Sequence, residues 1–534
     1  MRPSRRTLAL GAVATAALAV RAQPARAMGG DDAFAVSGKP GPFVKQVATR
    51  NFAAASAGDG VMGLASDSAN LGQYQAARLR MPRTEAKVAR LLATLDAKWP
   101  YAKGRPLQVQ ILGLDYYNAY SLPDGSIVVS FGLLDQAQSD DEVAFVLAHE
   151  LGHVRLGHFN KTVAPQEQRK LASPLGQLFL VGAAATVVGG PAARAGATND
   201  YMHFLVKSMV EPGHTRAQED EADCIGYDLS QAASYSADSA SARVFDTIQA
   251  DQQKHKALVD ILGDQLKSQL SEAVNVGTAT SFLTGGMSAG GLRSQLIGGA
   301  ARLAFGAAMA RASEQPPQHR PPEERKKGIS QYSTDAYPEG APLRDEQHVW
   351  LADVRGTPEY AQGKLAIDAV YDTKKARAAG DYAKATSAIA RATQTSFGRE
   401  PLVLNEAARL RDDMGDTAGA DALFVQAHAS PDQTVDGYVD HARMLYRSKQ
   451  NDRAMQIIAQ GTQRFGNDQK PFISLMIAIS RQAGRQDEAD RYLAQCMGYG
   501  DDGLTKDCQL AAGKNGPAPH SRGPSLPFGL PHLP

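Results

Sequence analysis

His149-Glu150-Leu151-Gly152-His153 reads H-E-x-x-H. Four residues is slightly more than one helical turn, so on a helix both imidazoles project from one face and can share a metal ion. Imidazole is a good zinc donor, and a carboxylate beside such a pair can take a proton from water. The spacing points to a zinc hydrolase with His149 and His153 as ligands and Glu150 as general base. The alternative is a solvated helix that happens to carry two histidines. Val143, Ala144, Val146, Leu147 and Leu151 argue against it, because they predict a largely buried helix. Two buried histidines and a buried carboxylate need partners, and a metal supplies them.

A catalytic zinc takes three protein ligands and keeps one position open. His158 is nearest, but five residues of helix turn it about 140° away from His153. The longer pattern H-E-x-x-H-x-x-G-x-x-H needs a glycine where Leu156 stands. His158 is therefore expected to cap the helix end or to support the site. Glu219 and Asp223 are the better pair, one turn apart on a second predicted helix. Glu219 is placed to bind the metal, and Asp223 to accept the free N–H of a ligand histidine. Taken alone, the pair would read as an acidic solvated face; downstream of H-E-x-x-H the ligand reading is preferred.

These residues need a scaffold. Val88, Leu91, Leu92 and Leu95 have helical spacing within 81–99. Pro106 to Leu114 alternates like a strand, and Ile127 to Phe131 is a second strand after the turn Pro123-Asp124-Gly125. Ser139 and Glu142 fit a capping box, with Asp140 and Asp141 at the positive end of the helix dipole. The helix should run to about Val154 and stop at Gly157.

The chain of 534 residues is 43% hydrophobic and 21% charged, a globular composition of two or three domains. Residues 1–27 read as a cleavable export signal: a basic start, an apolar run from Thr7 to Val20, and Ala25-Arg26-Ala27. Ser4-Arg5-Arg6-Thr7-Leu8 resembles a twin-arginine signal, which predicts a periplasmic protein. The other reading is an uncleaved anchor, but the apolar run is shorter than the roughly 20 residues a span needs. Cleavage removes five arginines and no acidic residue, and turns the net charge from +1 to −4. Neither value favours nucleic acid. Residues 28–75 are a loose Gly/Ala/Ser-rich lead-in. Leu175 to Ala193 and Val276 to Ala310 are apolar and glycine-rich, and suggest packed segments or peripheral membrane contact rather than spans. A Pro/Glu/Lys-rich stretch to residue 345 closes a first domain of 76–345.

Residues 346–512 repeat. Gly380, Gly415, Lys449 and Gly484 are spaced 35, 34 and 35, each followed five residues on by Ala385, Ala420, Ala454 or Ala489. A period near 34 is that of tetratricopeptide helical hairpins. Cys496 and Cys508 are expected to form a disulfide in an exported chain. Cys224 is expected to be buried. Residues 513–534 are a disordered Pro/Gly-rich tail.

Three blocks carry a resemblance to a known family: Asn118-Ala119-Tyr120-Ser121-Leu122-Pro123-Asp124-Gly125 with Ile127 to Leu134; Asp141 to His153; and Arg216-x-x-Glu219-x-x-Ala222-Asp223-x-x-Gly226. They resemble the HtpX-like/CAAX-prenyl-protease family of zinc metallopeptidases, which are gluzincins. The resemblance implies His149, His153 and Glu219 as ligands of one zinc per chain, Glu150 as base and Asp223 as supporting carboxylate. It implies a mainly α fold with a small β-sheet, here followed by an α-helical tetratricopeptide solenoid. The architecture is similar to periplasmic members that act in quality control of outer-membrane proteins. It implies unfolded or misassembled proteins as substrates and contact with outer-membrane assembly machinery through the repeats.

An edge strand at Asn118, Ala119 and Tyr120 would pair with extended substrate and make cleavage sequence-tolerant. Periplasmic relatives often carry a Thr-His-Pro segment whose histidine restrains activity. Ser333-Thr334-Asp335-Ala336 lacks it, and His319 is either its counterpart or an exposed linker histidine. His319 and Arg216 are the candidates for an oxyanion or regulatory group. The competing class is a periplasmic tetratricopeptide chaperone or scaffold with a silent metal site.

Overall fold

The computed structural model describes residues 41–47, 77–101, 103, 106–122, 125–158, 216–251, 253, 320–339, 349–500 and 502–513. The expectations for the export signal, the lead-in to residue 40 and over 48–75, both apolar segments, His319 and the tail from 514 lie outside these residues. Among the described residues the fold is mainly α with one three-stranded sheet. No helix among them is long and apolar enough to cross a membrane.

The sheet has the order β1-β3-β2, with β1 Gln108–Leu112, β2 Ala119–Ser121 and β3 Ser126–Ser130. β1 runs parallel to β3, and β2 antiparallel to it. All five residues of β3 are buried. As the central strand it is covered on both faces, which is why its sequence does not alternate. β1 alternates in sequence, but its burial does not: it rises along the strand toward Leu112. Gly125 accounts for the hairpin between β2 and β3: its φ is 90°, and its N–H donates to the Leu122 carbonyl at 3.0 Å.

Helix α1, Pro82–Asp96, lays Val88, Leu91, Leu92 and Leu95 into the core. Its own N-cap position offers no side-chain bond. Glu359 supplies one from far along the chain, accepting from Arg83 N at 3.0 Å and Thr84 N at 2.9 Å. Helix α2, Asp140–Leu156, carries H-E-x-x-H and starts as expected. Ser139 Oγ accepts from Glu142 N at 3.2 Å, but Glu142 Oε2 reaches back to Gln138 N, one residue beyond the usual box partner. Gly157 ends the helix in the left-handed region at φ 65°.

Helix α3, Arg216–Ala232, packs along α2, and helix α4, Pro322–Ala336, packs on α3. Two glycines let α2 and α3 approach. A Cβ on Gly152 would lie 3.3 Å from Ala222 Cα, and one on Gly226 would lie 3.2 Å from His149 N. Gly226 is therefore part of what sets the height of His149 against α3.

Four helical hairpins follow: Pro358–Ala378 with Tyr382–Thr393, Pro401–Asp413 with Thr417–His428, Val435–Arg447 with Asn451–Arg464, and Ile473–Gln482 with Gln486–Gly498. Gly380, Gly415, Lys449 and Gly484 turn the four hairpins with φ of 71°, 83°, 59° and 73°. Ala385, Ala420, Ala454 and Ala489 are all buried where the paired helices meet. The first hairpin and the segment leading into it pack on the half that carries H-E-x-x-H. Trp350 Nε1 donates to the Leu134 carbonyl at 3.2 Å, the Phe131 and Tyr360 rings stack, and a Cβ on Gly363 would touch Phe131. Cys496 and Cys508 are bonded to each other, and Cys224 is a buried free thiol.

Candidate metal centre

α2 projects His149 and His153 toward α3, where Glu219 stands. His149 Nε2 lies 3.1 Å from His153 Nε2. Glu219 Oε2 lies 3.4 Å from His149 Nε2, and Glu219 Oε1 lies 3.4 Å from His153 Nε2. Tetrahedral zinc with bonds of about 2.0–2.1 Å separates its ligand atoms by about 3.3 Å. The imidazole separation and the approach of each imidazole to a Glu219 oxygen, a different one for each, fall near that spacing, so the three residues can converge on one ion as the protein ligands of a zinc site do. His149, His153 and Glu219 are the group of metal-ligating type found among the described residues, and all three are buried. The donor set of two imidazoles and a carboxylate suits zinc.

Asp223, one turn beyond Glu219, puts Oδ1 2.9 Å from His149 Nδ1. The contact is at ion-pair distance, although Nδ1 points off the ideal hydrogen-bond direction. Arg325 from α4 grips the same carboxylate with two bonds, Nη2 to Oδ1 at 2.6 Å and Nε to Oδ2 at 2.9 Å. Burial alone would raise the Asp223 carboxyl; Arg325 and His149 outweigh it and hold it below the usual carboxylate range. Burial pushes the His149 imidazole down, but the bonds and charges of Asp223 and Glu219 prevail and raise it to about 10. The pocket thus demands positive charge at the place where the three donor atoms converge. In the metal-free protein a proton on His149 meets that demand.

Glu150 follows His149 on α2 and is 7% exposed, buried yet still reached by solvent. β2 packs against α2, with Asn118 and Ala119 partly exposed and Tyr120 buried. Arg216 is the exposed first residue of α3, one turn before Glu219. His158 sits just past Gly157. Because that glycine leaves the helical path, the angular argument from an ideal helix no longer applies, and His158 turns back to place Nδ1 2.9 Å from His153 Nδ1.

Arg325 was not singled out from the sequence. It lies 102 residues from Asp223, and no local spacing signals the contact. Arg320, which grips Asp220 at 3.0 Å, is a second such tie between α3 and the segment before α4.

Residues 79–294 match the model of Peptidase family M48. The chain is 28% identical to metalloprotease LoiP of Escherichia coli over 28% of this chain and 54% of the relative. It is 26% identical to metalloprotease YcaL of Escherichia coli over 24% of this chain and 45% of the relative. It is 28% identical to the beta-barrel assembly-enhancing protease of Yersinia pestis over 24% of this chain and 25% of the relative. The chain thus spans about half the length, or less, of these curated relatives.

Proposed function

We propose that this chain, whose residues 79–294 match the model of Peptidase family M48, is a zinc-dependent endopeptidase of the cell envelope acting on unfolded or misassembled proteins. The observation that carries the reading is the convergence of three buried side chains: the His149 and His153 Nε2 atoms lie 3.1 Å apart, and each lies 3.4 Å from a different oxygen of Glu219. Zinc, when bound, supplies Lewis acidity that polarises a carbonyl and acidifies water. Glu150 takes the proton of the attacking water and returns it to the leaving amine. Asp223, clamped by Arg325, orients His149. The edge strand β2, beside α2, pairs with an extended substrate through its main chain, which selects for unfolded segments rather than for a sequence.

The four hairpins are read as tetratricopeptide repeats that form the second domain and offer a surface for partner proteins, outer-membrane assembly machinery among them. Support for a periplasmic address is the export-signal pattern of residues 1–27 and the Cys496–Cys508 bond, which persists in an oxidising compartment. The similarity to a beta-barrel assembly-enhancing protease supports β-barrel proteins as the substrate class.

Casein cleavage by the purified zinc-loaded chain tests the activity. The wild type should cleave and Glu150→Gln should lose at least about 100-fold, the scale of a lost general base. A wild type as inert as Glu150→Gln on unfolded substrates supports the scaffold reading instead.

A further inference from the structure

A second line of side chains reaches the centre from behind His153. His153 Nδ1 meets His158 Nδ1 at 2.9 Å, and His158 Nε2 meets Glu221 Oε2 at 3.1 Å. The two imidazoles meet edge to face, and both are 1% exposed. Gln218 Nε2 donates to the His158 carbonyl at 3.0 Å and ties the residue to α3.

The proton positions along this line follow from what each group can do. An ionised carboxylate only accepts, so Glu221 places the His158 proton on Nε2. Neutral His158 then has an accepting Nδ1, and its partner His153 must carry a proton on Nδ1. That leaves the Nε2 lone pair of His153 facing the metal position. The same assignment satisfies the metal-free protein, where His149 Nε2–H donates to His153 Nε2 at 3.1 Å.

We propose that Glu221 and His158 form a relay that fixes the tautomer and ring orientation of His153, as a counterpart to the Asp223 arm on His149. Both are positioning residues: they touch a ligand or its neighbour, not the substrate. One helix, α3, then supplies the third ligand Glu219 and the carboxylates behind both histidines. The proposal rests on the reading of His153 as a metal ligand.

The test compares full-length wild type, His158→Ala, Glu221→Ala and the double variant by zinc competition against a chromophoric chelator, with melting of the metal-free forms alongside. Each single variant should bind zinc about 10–100-fold more weakly, the usual range for a partner of a ligand histidine. The double variant should lose no more than the worse single, because the two residues act in series. His158→Gln keeps one acceptor and one donor and should recover part of the affinity, with metal-free melting unchanged. Wild-type affinity in both single variants, or losses that multiply in the double variant, would overturn the relay. A wild type that binds no zinc refutes the metal centre rather than the relay. The relay is then read from imidazole nitrogen-15 shifts of the metal-free wild type. Protonation of His153 on Nδ1 and His158 on Nε2 supports it, and the opposite tautomers overturn it.

Discussion

Arg325 closes both oxygens of Asp223 in a two-bond grip, and Asp223 in turn faces His149. The Asp223 side chain is fully buried and that of Arg325 is 12% exposed, so water replaces neither partner. Arg325→Met should leave the buried Asp223 carboxylate with His149 as its remaining charged partner and cost up to about 3–5 kcal/mol of stability. Arg325→Lys should recover only part of that, since an ammonium cannot form the paired bonds. Denaturant unfolding of the metal-free proteins checks this, and a Met variant within 1 kcal/mol of wild type refutes the role of the grip.

Gly226 sits where α3 crosses the backbone of His149. Gly226→Val should push the two helices apart, with an overpacking cost of about 1–3 kcal/mol. Because the displaced residue is His149, zinc affinity should fall together with stability. Equal zinc affinity in wild type and variant would show that this close approach does not set the site.

Asp228 lies at the inner end of α3 and accepts from Val44 N at 2.8 Å and from the hydroxyls of Tyr332 and Tyr337 at 2.8 Å. Burial, opposed by these donors, raises its pKa from 3.8 to about 6. The folded chain therefore holds this proton more tightly than the unfolded chain does. Its contribution is fully present below about pH 4 and is lost as pH rises through about 6, a change of at most about 3 kcal/mol. Melting of wild type and Asp228→Asn from pH 4 to 7.5 should show the wild-type advantage shrinking up to about pH 6.5 and level above it. A difference that stays constant contradicts the shift.

Lys449 takes the turn conformation that glycine takes in the other three hairpins, at φ 59°. A side chain there carries strain that glycine avoids. Lys449→Gly should stabilise the chain by a few tenths to about 1 kcal/mol in thermal or denaturant unfolding. A loss of stability would mean that the lysine side chain makes a compensating contact.

The parts of the fold readable in the sequence are those encoded locally. The four-residue spacings of His149 and His153 and of Glu219 and Asp223, the Ser139 cap, the Gly157 stop and the glycine-to-alanine interval of the hairpins all follow from helix geometry. What escaped reading is long-range. Arg325, Arg320 and Glu359 act across 100 residues or more. The parallel pairing of β1 with β3 leaves no periodic trace, because β3 is buried on both faces. His158 was excluded as a ligand by helical geometry, but its contact with His153 appears only because Gly157 ends the helix one residue earlier. Nor does composition show that the first helical hairpin and the segment before it complete the core of the half that carries H-E-x-x-H, since Trp350, Tyr360 and Gly363 are ordinary helix residues until their partners are known.

Zinc content bears most directly on Glu219 as the third ligand. Wild type and Glu219→Ala, purified identically and dialysed, are compared by elemental mass spectrometry and circular dichroism. One zinc per chain in the wild type, and essentially none in a folded Glu219→Ala variant, is expected. A folded Glu219→Ala variant that keeps one zinc at wild-type affinity would contradict the site described by His149, His153 and Glu219.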